Sequence, residues 1–381
     1  MKTFEANFPD AGFFRVSTHE GIVSRLERLG EEKPEAPYCS PGFVDIQVNG
    51  FAGIDFSAPD LDVNALAAVL PAIWKTGVTS FCPTLITNSL DELERNLRVL
   101  ESARAAVPGF ADSTPCYHLE GPYLSPGPSH GAHKSALMRD PDWDEFRRLQ
   151  TAAGENIGIL TLAPERPGAL DLIRQCRQSG VIAAISHTDG IVDDIHEAAK
   201  AGATLSTHLG NGCPQMIDRH SAPIWAQLAI DELHASIICD SFHVRPDLMK
   251  VIFRMKGTHR CLLVTDAVHA ANLPPGLYSF AGGEIELLPS GQVVTRGGNS
   301  MAGSALSMDR AISWFMRLAE VSLADALPLA TRTPAALLLR DSVPQEISVG
   351  APANFAIFRM APEGLQIERT VLRGKIVYET C

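Results

Sequence analysis

Residues 181–209, VIAAISHTDGIVDDIHEAAKAGATLSTHL, contain the pattern that predicts the fold of this chain. A short apolar run, VIAAISH at 181–187, ends in polar residues, and a helical stretch, DDIHEAAKAG at 193–202, follows and ends at a glycine. A second apolar run, TLSTHL at 204–209, begins directly afterwards. Runs this apolar are typical of parallel strands covered on both faces, so the stretch predicts a strand–helix–strand unit.

The same unit recurs along the middle of the sequence. Apolar runs occur at residues 43–50, 78–85, 116–121, 157–165, 181–187, 204–209, 235–240 and 261–267. The segments between them include further helix candidates, such as NALAAVLPAIWKTG at 64–77. Eight strand–helix repeats predict an α/β fold of the (β/α)8 TIM-barrel type. A doubly wound open sheet is the alternative, and the lack of a glycine-rich phosphate fingerprint argues against it.

The two chain ends follow a different pattern. Both contain short runs with strand-like alternation and glycine turns, without a helical repeat. Neither end could bury much apolar surface alone, so we expect residues 1–39 and 346–381 to form one small β-domain together. The barrel is then expected over residues 40–345, with a hairpin inserted near 277–296.

Composition argues against several classes of partner. The formal net charge is −12 and no cluster of Lys and Arg stands out, so neither nucleic acid nor an anionic membrane is an expected partner. The sequence shows neither a signal-peptide core at its start nor an apolar run that approaches a membrane span. The eight cysteines form no Cys-x-x-Cys motif, and most lie in apolar runs, as buried thiols do in a reducing cytosol. We therefore expect a cytoplasmic protein.

Residues of the types that bind metals follow several predicted strands. In strand order they are Glu120, His187, His208, His243 and Asp266. A lone His is more often a structural residue, and a strand-end Asp is often the N-cap of the next helix. Because the carboxyl ends of barrel strands meet at one face, however, these side chains can converge. Their common position favours a metal site.

The ligand types indicate the kind of site. One carboxylate and two imidazoles, from Glu120, His187 and His208, leave a position open for water, as in catalytic zinc sites. A metal there lowers the pKa of its water towards neutrality. Asp266 can then take a proton from that water and pass it to a leaving group. This chemistry is hydrolysis of an amide or ester.

Several motifs resemble, in order, those of the amidohydrolase superfamily and, within it, of the N-acetylglucosamine-6-phosphate deacetylases. They are PGFVDIQVNG, FCPTLIT, HLEGPY, ISHTDG, STHLGNG, FHVRPD, TDA and MAGSALSMD, and the resemblance extends from about residue 40 to the C-terminus. It implies a barrel with a small β-sandwich built from both chain ends. It also implies hydrolysis of the acetamide of N-acetylglucosamine 6-phosphate to glucosamine 6-phosphate and acetate.

Other functions stay open. The nearest alternative is another N-acyl-amino-sugar or cyclic-amide amidohydrolase, including one that acts on an unphosphorylated substrate. A metal-free sugar-phosphate isomerase on the same barrel would need no Glu–His–His set. A non-catalytic binding protein is the remaining alternative, but in such a protein Asp266 would have no function beside a metal.

The resemblance also bears on the number of metals. Many amidohydrolases end the first strand with His-x-His, which binds a second metal, whereas this chain has Gln-Val-Asn at 47–49. Amides are poor ligands for transition metals, and some deacetylases with Gln and Asn there use one metal. We expect one divalent ion per chain, bound by Glu120, His187 and His208. Zinc is the expected metal, with iron, cobalt and manganese as alternatives.

Further roles are implied by matching positions. They are His133 at the substrate carbonyl as a second catalytic residue beside Asp266, His243 at the sugar, Asn211 and Gly212 at the phosphate, and Arg219 as a phosphate-binding residue. In some members that arginine reaches across a homodimer, so a homodimer is expected here. A surface ion pair is the alternative for Arg219.

Some residues depart from the family pattern or have no assigned role. The loop GNGCPQMIDRHSAPIW at 210–225 lacks the usual Asn-Ala-Met and Arg-Glu-Pro, which leaves the phosphate end of the substrate open. No role follows for His130, His220 or His269. We interpret His118 as structural, because it precedes Glu120 by two residues and is expected to face away from it.

Overall fold

The structure, a computed structural model, describes residues 3–280, 283–297 and 300–380. Within these ranges the strands are β1 Thr3–Phe8, β2 Gly12–His19, β3 Ile22–Gly30, β4 Tyr38–Pro41, β5 Phe43–Val48, β6 Gly50–Phe51, β7 Ile54–Asp55, β8 Val78–Ile86, β9 Tyr117–Glu120, β10 Ile157–Leu162, β11 Ile182–Ile185, β12 Leu205–Ser206, β13 His234–Ile238, β14 Cys261–Val264, β15 Gly276–Phe280, β16 Gly283–Leu287, β17 Val293–Thr295, β18 Phe355–Ala361, β19 Gly364–Leu372 and β20 Lys375–Glu379.

The helices lie mainly between the central strands. They are α1 Val63–Trp74, α2 Leu90–Ala106, α3 Phe110–Ser113, α4 Trp143–Ala152, α5 Ala169–Gln178, α6 Val192–Ala201, α7 Pro223–Ala229, α8 Pro246–Arg260, α9 Met308–Ala319, α10 Leu323–Ala326 and α11 Arg332–Leu338, with short 3-10 turns at Pro128–His130, Ser135–Leu137 and Leu327–Ala330. Among the described residues, none of the helices has both the length and the apolar character needed to cross a membrane.

The central sheet closes into a barrel. Its parallel strands run in the order β5, β8, β9, β10, β11, β12, β13 and β14. At the seam the backbone N–H of Asp266 donates to the carbonyl of Gln47 at 3.0 Å, and that of Asn49 donates to Ala267 at 2.8 Å. Every residue of β5, β8 and β10 is buried, which explains why these strands are mostly apolar. The predicted (β/α)8 barrel is confirmed.

The helices pack one apolar side against the barrel. In α5 the buried side chains include Leu172, Ile173 and Cys176. Burying a leucine or isoleucine side chain stabilises the fold by about 1.5–3 kcal/mol. The helix expected over 193–202 is α6, which ends at Ala201 and is followed by Gly202, whose φ of 122° favours glycine.

Strands from both chain ends form a second, mostly antiparallel sheet beside the barrel. Its order is β20-β19-β18-β4-β1-β2-β3, so β4 lies between β18 and β1. Phe355 of β18 pairs with Pro41 of β4, and Asn7 of β1 pairs with Tyr38. The fold class, a barrel with a β-domain built from both ends, is confirmed, with these strands hydrogen-bonded in one continuous sheet. The exact domain boundaries stay a prediction.

An inserted sheet lies beside the mouth of the barrel. The predicted hairpin is present as β15 and β16, and a third strand, β17, pairs with β16. Residues 281–282, between these two strands, lie outside the described part of the chain. Phe280 and Ile285 of this sheet pack in one cluster with Ile86, the last residue of β8, and with Val268, which follows β14. The inserted sheet therefore forms one wall of the barrel mouth.

Candidate metal centre and active site

Glu120, His187 and His208 meet at the carboxyl end of the barrel. Glu120 is the last residue of β9, and each histidine lies two residues beyond the end of its strand, β11 or β12. One ligand atom from each of the three lies within 4.8 Å of the others, and all three side chains are buried. Glu120 Oε1 is 2.8 Å from His208 Nε2 and 3.4 Å from His187 Nε2. The structure thus brings the three predicted ligands together.

The loops hold both imidazoles in defined orientations. His187 Nδ1 lies 2.8 Å from the carbonyl oxygen of Ser129, which can only accept, so Nδ1 carries the proton and Nε2 is left free to bind an ion. His208 Nδ1 lies 3.3 Å from the hydroxyl of Ser186. His187 and His208 also have positive φ values, 48° and 34°. An imidazole fixed in this way is typical of a metal ligand.

The electrostatics of the centre favour an ionised carboxylate at Glu120. Burial alone would raise the pKa of Glu120, but its contacts with His187 and His208 hold that pKa well below its usual range. Burial alone would lower the pKa of His208, yet the carboxylate of Glu120 raises it. Without an ion, the buried carboxylate depends on these imidazoles for its charge balance. A divalent cation between the three would fulfil the same need, so this donor set fits a metal.

Asp266 lies beside the centre, after β14. Asn49 Nδ2 donates to Asp266 Oδ1 at 2.6 Å. Burial raises the pKa of Asp266 to about 6, and the charge of Glu120 acts in the same direction, while His208 opposes it. Asp266 is 7% exposed and lines a cavity that opens above the centre, so its carboxyl group can reach a bound molecule.

The first barrel strand, β5, and the residue that follows it carry amides at the positions where a second metal site would need imidazoles. Neither the side-chain oxygen nor the nitrogen of Gln47 has a hydrogen-bond partner among the described residues, and the same holds for Asn49 Oδ1. A buried amide without a partner costs about 1–3 kcal/mol. Asn49 lines the cavity, so its oxygen is available to water or substrate there.

A cavity of about 420 Å³ opens above these residues. His133 lines it, with Nδ1 2.9 Å from Thr87 Oγ1 and Nε2 3.8 Å from Glu120 Oε2. Burial and the neighbouring His187 lower the pKa of His133 to about 3, so it is a neutral imidazole. His243 also lines the cavity, and Asp240 Oδ2 lies 2.7 Å from its Nδ1.

The loop after β12 forms one side of the same cavity. Asn211 and Gly212 line it, and the buried Nδ2 of Asn211 is without a partner in the described ranges. Gly212 has a φ of 58°, and a Cβ there would lie 2.8 Å from the backbone nitrogen of His187. Only glycine lets this loop approach the histidine so closely.

Arg219 is not brought into this cavity. Its side chain is exposed and makes neither a hydrogen bond nor an ion pair with any residue that the structure describes. His220 is exposed in the same loop. Of the histidines without an assigned role, His130 contacts the carbonyl of His133 at 3.1 Å. His269 stacks on Phe280 at 5.9 Å and lines a neighbouring cavity.

The interpretation of His118 needs a correction. Residues two apart in a strand share a face, so His118 does not face away from Glu120 as expected. It lies one layer deeper in the barrel, where Ile46 O is 2.9 Å from Nδ1 and Thr161 Oγ1 is 2.7 Å from Nε2. Both ring nitrogens are engaged, which is consistent with a structural role.

The sequence did not indicate several residues that support the site. Thr87 contacts His133, and Ser129 contacts His187 through its carbonyl oxygen. Asp189 in turn holds Ser129. These residues lie in loops, and their spacing from the residues that they contact carries no pattern.

Comparisons with known proteins agree with this geometry. The model of the amidohydrolase family matches residues 38–377. An N-acetylglucosamine-6-phosphate deacetylase of Bos taurus is 31% identical over 379 residues, which cover 96% of this chain and 90% of that protein. An N-acetylgalactosamine-6-phosphate deacetylase of Escherichia coli O157:H7 is 29% identical, covering 94% of this chain and 93% of that protein.

Solved structures give the same result. A mutant N-acetyl-D-glucosamine-6-phosphate deacetylase from Mycobacterium smegmatis, in complex with N-acetyl-D-glucosamine-6-phosphate, matches with a TM-score of 0.87. It is 27% identical, and the match covers 99% of this chain and 100% of that one. Since the family model spans the whole barrel and its carboxylate–imidazole centre, this chain belongs to the metal-dependent amidohydrolase family.

Proposed function

We propose that this protein hydrolyses the acetamide of N-acetylglucosamine 6-phosphate to glucosamine 6-phosphate and acetate. The observation that carries the proposal is the buried Glu120–His187–His208 centre with Asp266 beside it, in one cavity. Relatives at about 30% identity over nearly the whole chain are deacetylases of such sugars. Amide hydrolysis needs both carbonyl polarisation and a proton carrier, and this cavity offers groups for each.

One divalent ion per chain, with zinc as the expected metal, would be held by Glu120, His187 and His208. Their carboxylate and imidazole donors suit zinc, and three protein ligands leave room for reactants. Such an ion supplies Lewis acidity, which polarises a carbonyl and makes water more acidic. The amides of Gln47 and Asn49 are poor ligands, which supports a single ion.

Asp266 and His133 would do the proton transfer and positioning. With a pKa of about 6, Asp266 is mostly a carboxylate at neutral pH and can accept a proton from water. The same carboxyl group can then deliver the proton to the amine leaving group. His133 is neutral, and Thr87 fixes its ring, so its Nε2 side can orient the acetamide carbonyl.

The sugar and phosphate would occupy the rest of the cavity. His243, fixed by Asp240, is placed to contact the sugar, and the unpaired Nδ2 of Asn211 with the backbone at Gly212 can donate to a phosphate. Arg219 would supply the phosphate's cationic partner from a second subunit. Met216, 90% exposed, and the half-exposed Ile217 and Trp225 provide apolar surface for such a homodimer.

A cytoplasmic location is part of the proposal. The cysteines within the described ranges are all free thiols, and all but Cys213 are buried. Free thiols of this kind suit a reducing compartment.

N-acetylgalactosamine 6-phosphate is the second candidate substrate, because a relative at 29% identity has that name. An unphosphorylated sugar is a third, because the loop at 210–225 departs from the family pattern. Acetate release from both phosphorylated epimers and from N-acetylglucosamine tests the proposal. We expect the 6-phosphate of N-acetylglucosamine to give the highest kcat/KM. Equal rates with and without phosphate would overturn the named substrate, and no acetate from any of them would overturn the deacetylase.

A further inference from the structure

A carboxylate outside the candidate centre holds the loop that lies over it. Asp189 follows the proposed ligand His187 by two residues, and the loop after Glu120 packs against it. Asp189 Oδ1 accepts from the backbone N–H of Ser129 at 3.1 Å and also from the Ser129 hydroxyl. Asp189 Oδ2 accepts from the hydroxyl of Ser125. One carboxylate therefore fixes two points of the loop.

The same loop contacts His187 in return. The carbonyl oxygen of Ser129 accepts from His187 Nδ1 at 2.8 Å, and the backbone N–H of Ser125 donates to the His187 carbonyl at 2.9 Å. Asp189, Ser129 and His187 thus form a closed set of contacts. Moving Ser129 would remove the acceptor that fixes the ring of His187.

The position of Asp189 is itself fixed by Glu165, which follows β10. The backbone N–H of Asp189 donates to Glu165 Oε1 at 2.8 Å, and the hydroxyl of Thr188 donates to Glu165 Oε2 at 2.5 Å. Gly127 lies on the other side, where a Cβ would come within 2.2 Å of Asp189 Oδ2. The loop backbone is therefore in direct contact with the carboxylate.

We propose that Asp189 is a positioning residue for the metal centre. Through Ser129 it orients the imidazole of His187, and through the same loop it places His133 over the cavity. The inference rests on the proposed metal centre, because it assigns a role toward an ion held by His187. It also gives a reason why the half-buried carboxylate of Asp189 accepts three hydrogen bonds from one short loop.

The first test measures metal affinity in Asp189→Ala. Co²⁺ is titrated into the metal-free protein against a chelator of known affinity. Loss of a residue that orients a ligand typically weakens binding about 10- to 100-fold, and we expect a loss of that size. Asp189→Asn should lose less, because the serine hydroxyls can rotate to accept from its amide. Asp171→Asn, which changes an exposed carboxylate on α5, is the matched control and should bind like the wild type.

The second test asks whether Asp189 acts through Ser129. We expect Asp189→Ala and Ser129→Ala each to weaken Co²⁺ binding. The loss in the double variant should be smaller than the sum of the two single losses, because both substitutions remove the same contact. The visible absorption bands of bound Co²⁺ should shift in Asp189→Ala, since they report ligand geometry. Unchanged affinity and bands, with only a lower unfolding temperature, would overturn the inference. A wild type that binds no Co²⁺ would instead overturn the metal centre, so the two failures are distinguishable.

Discussion

At the scale of single residues, His187, His208 and Asp266 share a backbone conformation that most side chains avoid. Their φ values are 48°, 34° and 49°. Holding a non-glycine residue there costs on the order of 1–3 kcal/mol, which the surrounding contacts must offset. Such a cost is retained where one side chain has to point in one direction. In this barrel that direction is towards a common point above the strand ends.

Metal content provides the first prediction. Glu120→Gln keeps the size of the side chain but removes its charge, so the variant should retain less than a tenth of the one metal equivalent expected for the wild type, roughly the effect of losing a charged ligand. Elemental analysis after gel filtration checks this. His196→Gln, at an exposed position on α6, should keep the full equivalent. Two equivalents of equal affinity in the wild type would contradict the single-metal proposal.

Asp266 provides the second prediction. In Asp266→Asn the side-chain oxygen can still accept from Asn49, so metal content and KM should stay near those of the wild type. The general base is lost, and kcat should fall by about 10²–10⁴-fold. Steady-state acetate release and elemental analysis on the same sample separate the two effects. If metal is lost together with activity, Asp266 is a ligand rather than a base.

The proposed ligands could be predicted because strand ends of a barrel are neighbours whatever the loops do. Glu120, His187 and His208 needed only the strand pattern and their residue types. The supporting contacts of Ser129 and Asp189 could not be predicted, because they depend on loop conformation. The error over His118 arose from the assumed alternation along β9, and its position inside the barrel follows from the correct period of two.

At the scale of elements, the seam between the first and eighth barrel strands contains a buried carboxylate. Asp45 of β5 accepts from the hydroxyl of Thr265 at 2.6 Å and from its backbone N–H at 3.2 Å. Burial nevertheless raises the pKa of Asp45 to about 7, with these hydrogen bonds opposing the shift. The folded protein therefore holds the proton more tightly than the unfolded chain, so the contribution of Asp45 to stability is present at low pH and is lost as pH rises towards 7.

Asp45→Asn should remove that dependence. Relative to the wild type, the free energy of unfolding of the variant should rise by about 2–3 kcal/mol between pH 5 and pH 8, given a folded pKa of about 7 and an unfolded value near 3.8. Urea unfolding of both metal-free proteins at the two pH values measures it, and other titrating groups cancel in the difference. A change of opposite sign would show that the carboxylate is charged when folded.

Elements were predictable where their pattern was long. All eight barrel strands coincide with apolar runs. A strand covered on both faces is mostly apolar, so it stands out in the sequence as such a run. Strand β12 has only two residues, yet it belongs to the strand–helix repeat and lies within a predicted run. The short strands β6, β7 and β17, with two or three residues each, lie outside that repeat, so only their pairing partners define them.

At the scale of the whole molecule, the proposed role of Arg219 depends on a second subunit. Arg219→Ala should lower kcat/KM for the 6-phosphate about ten- to a hundred-fold, as expected for a charge-assisted hydrogen bond, and leave the unphosphorylated sugar nearly unaffected. Arg147→Ala, which removes a half-exposed arginine on α4, is the matched control.

Mixing two variants, each impaired at its own site, tests whether the arginine crosses between subunits. A heterodimer of Arg219→Ala and Asp266→Asn has one site with both residues intact if Arg219 reaches the partner's cavity. Random subunit exchange should then restore about a quarter of wild-type activity. No recovery after verified exchange would place Arg219 in its own subunit's site or in none.

The sheet built from both chain ends also determines the order in which the molecule can be completed. Strand β4 is made early in synthesis, yet one of its two hydrogen-bonding neighbours, β18, begins more than three hundred residues later, at Phe355. Pairing over such a separation is slow, because the intervening chain must first be ordered. Until then β4 presents an open edge that another chain could pair with. On the ribosome, β4 therefore emerges long before the strand that completes its pairing.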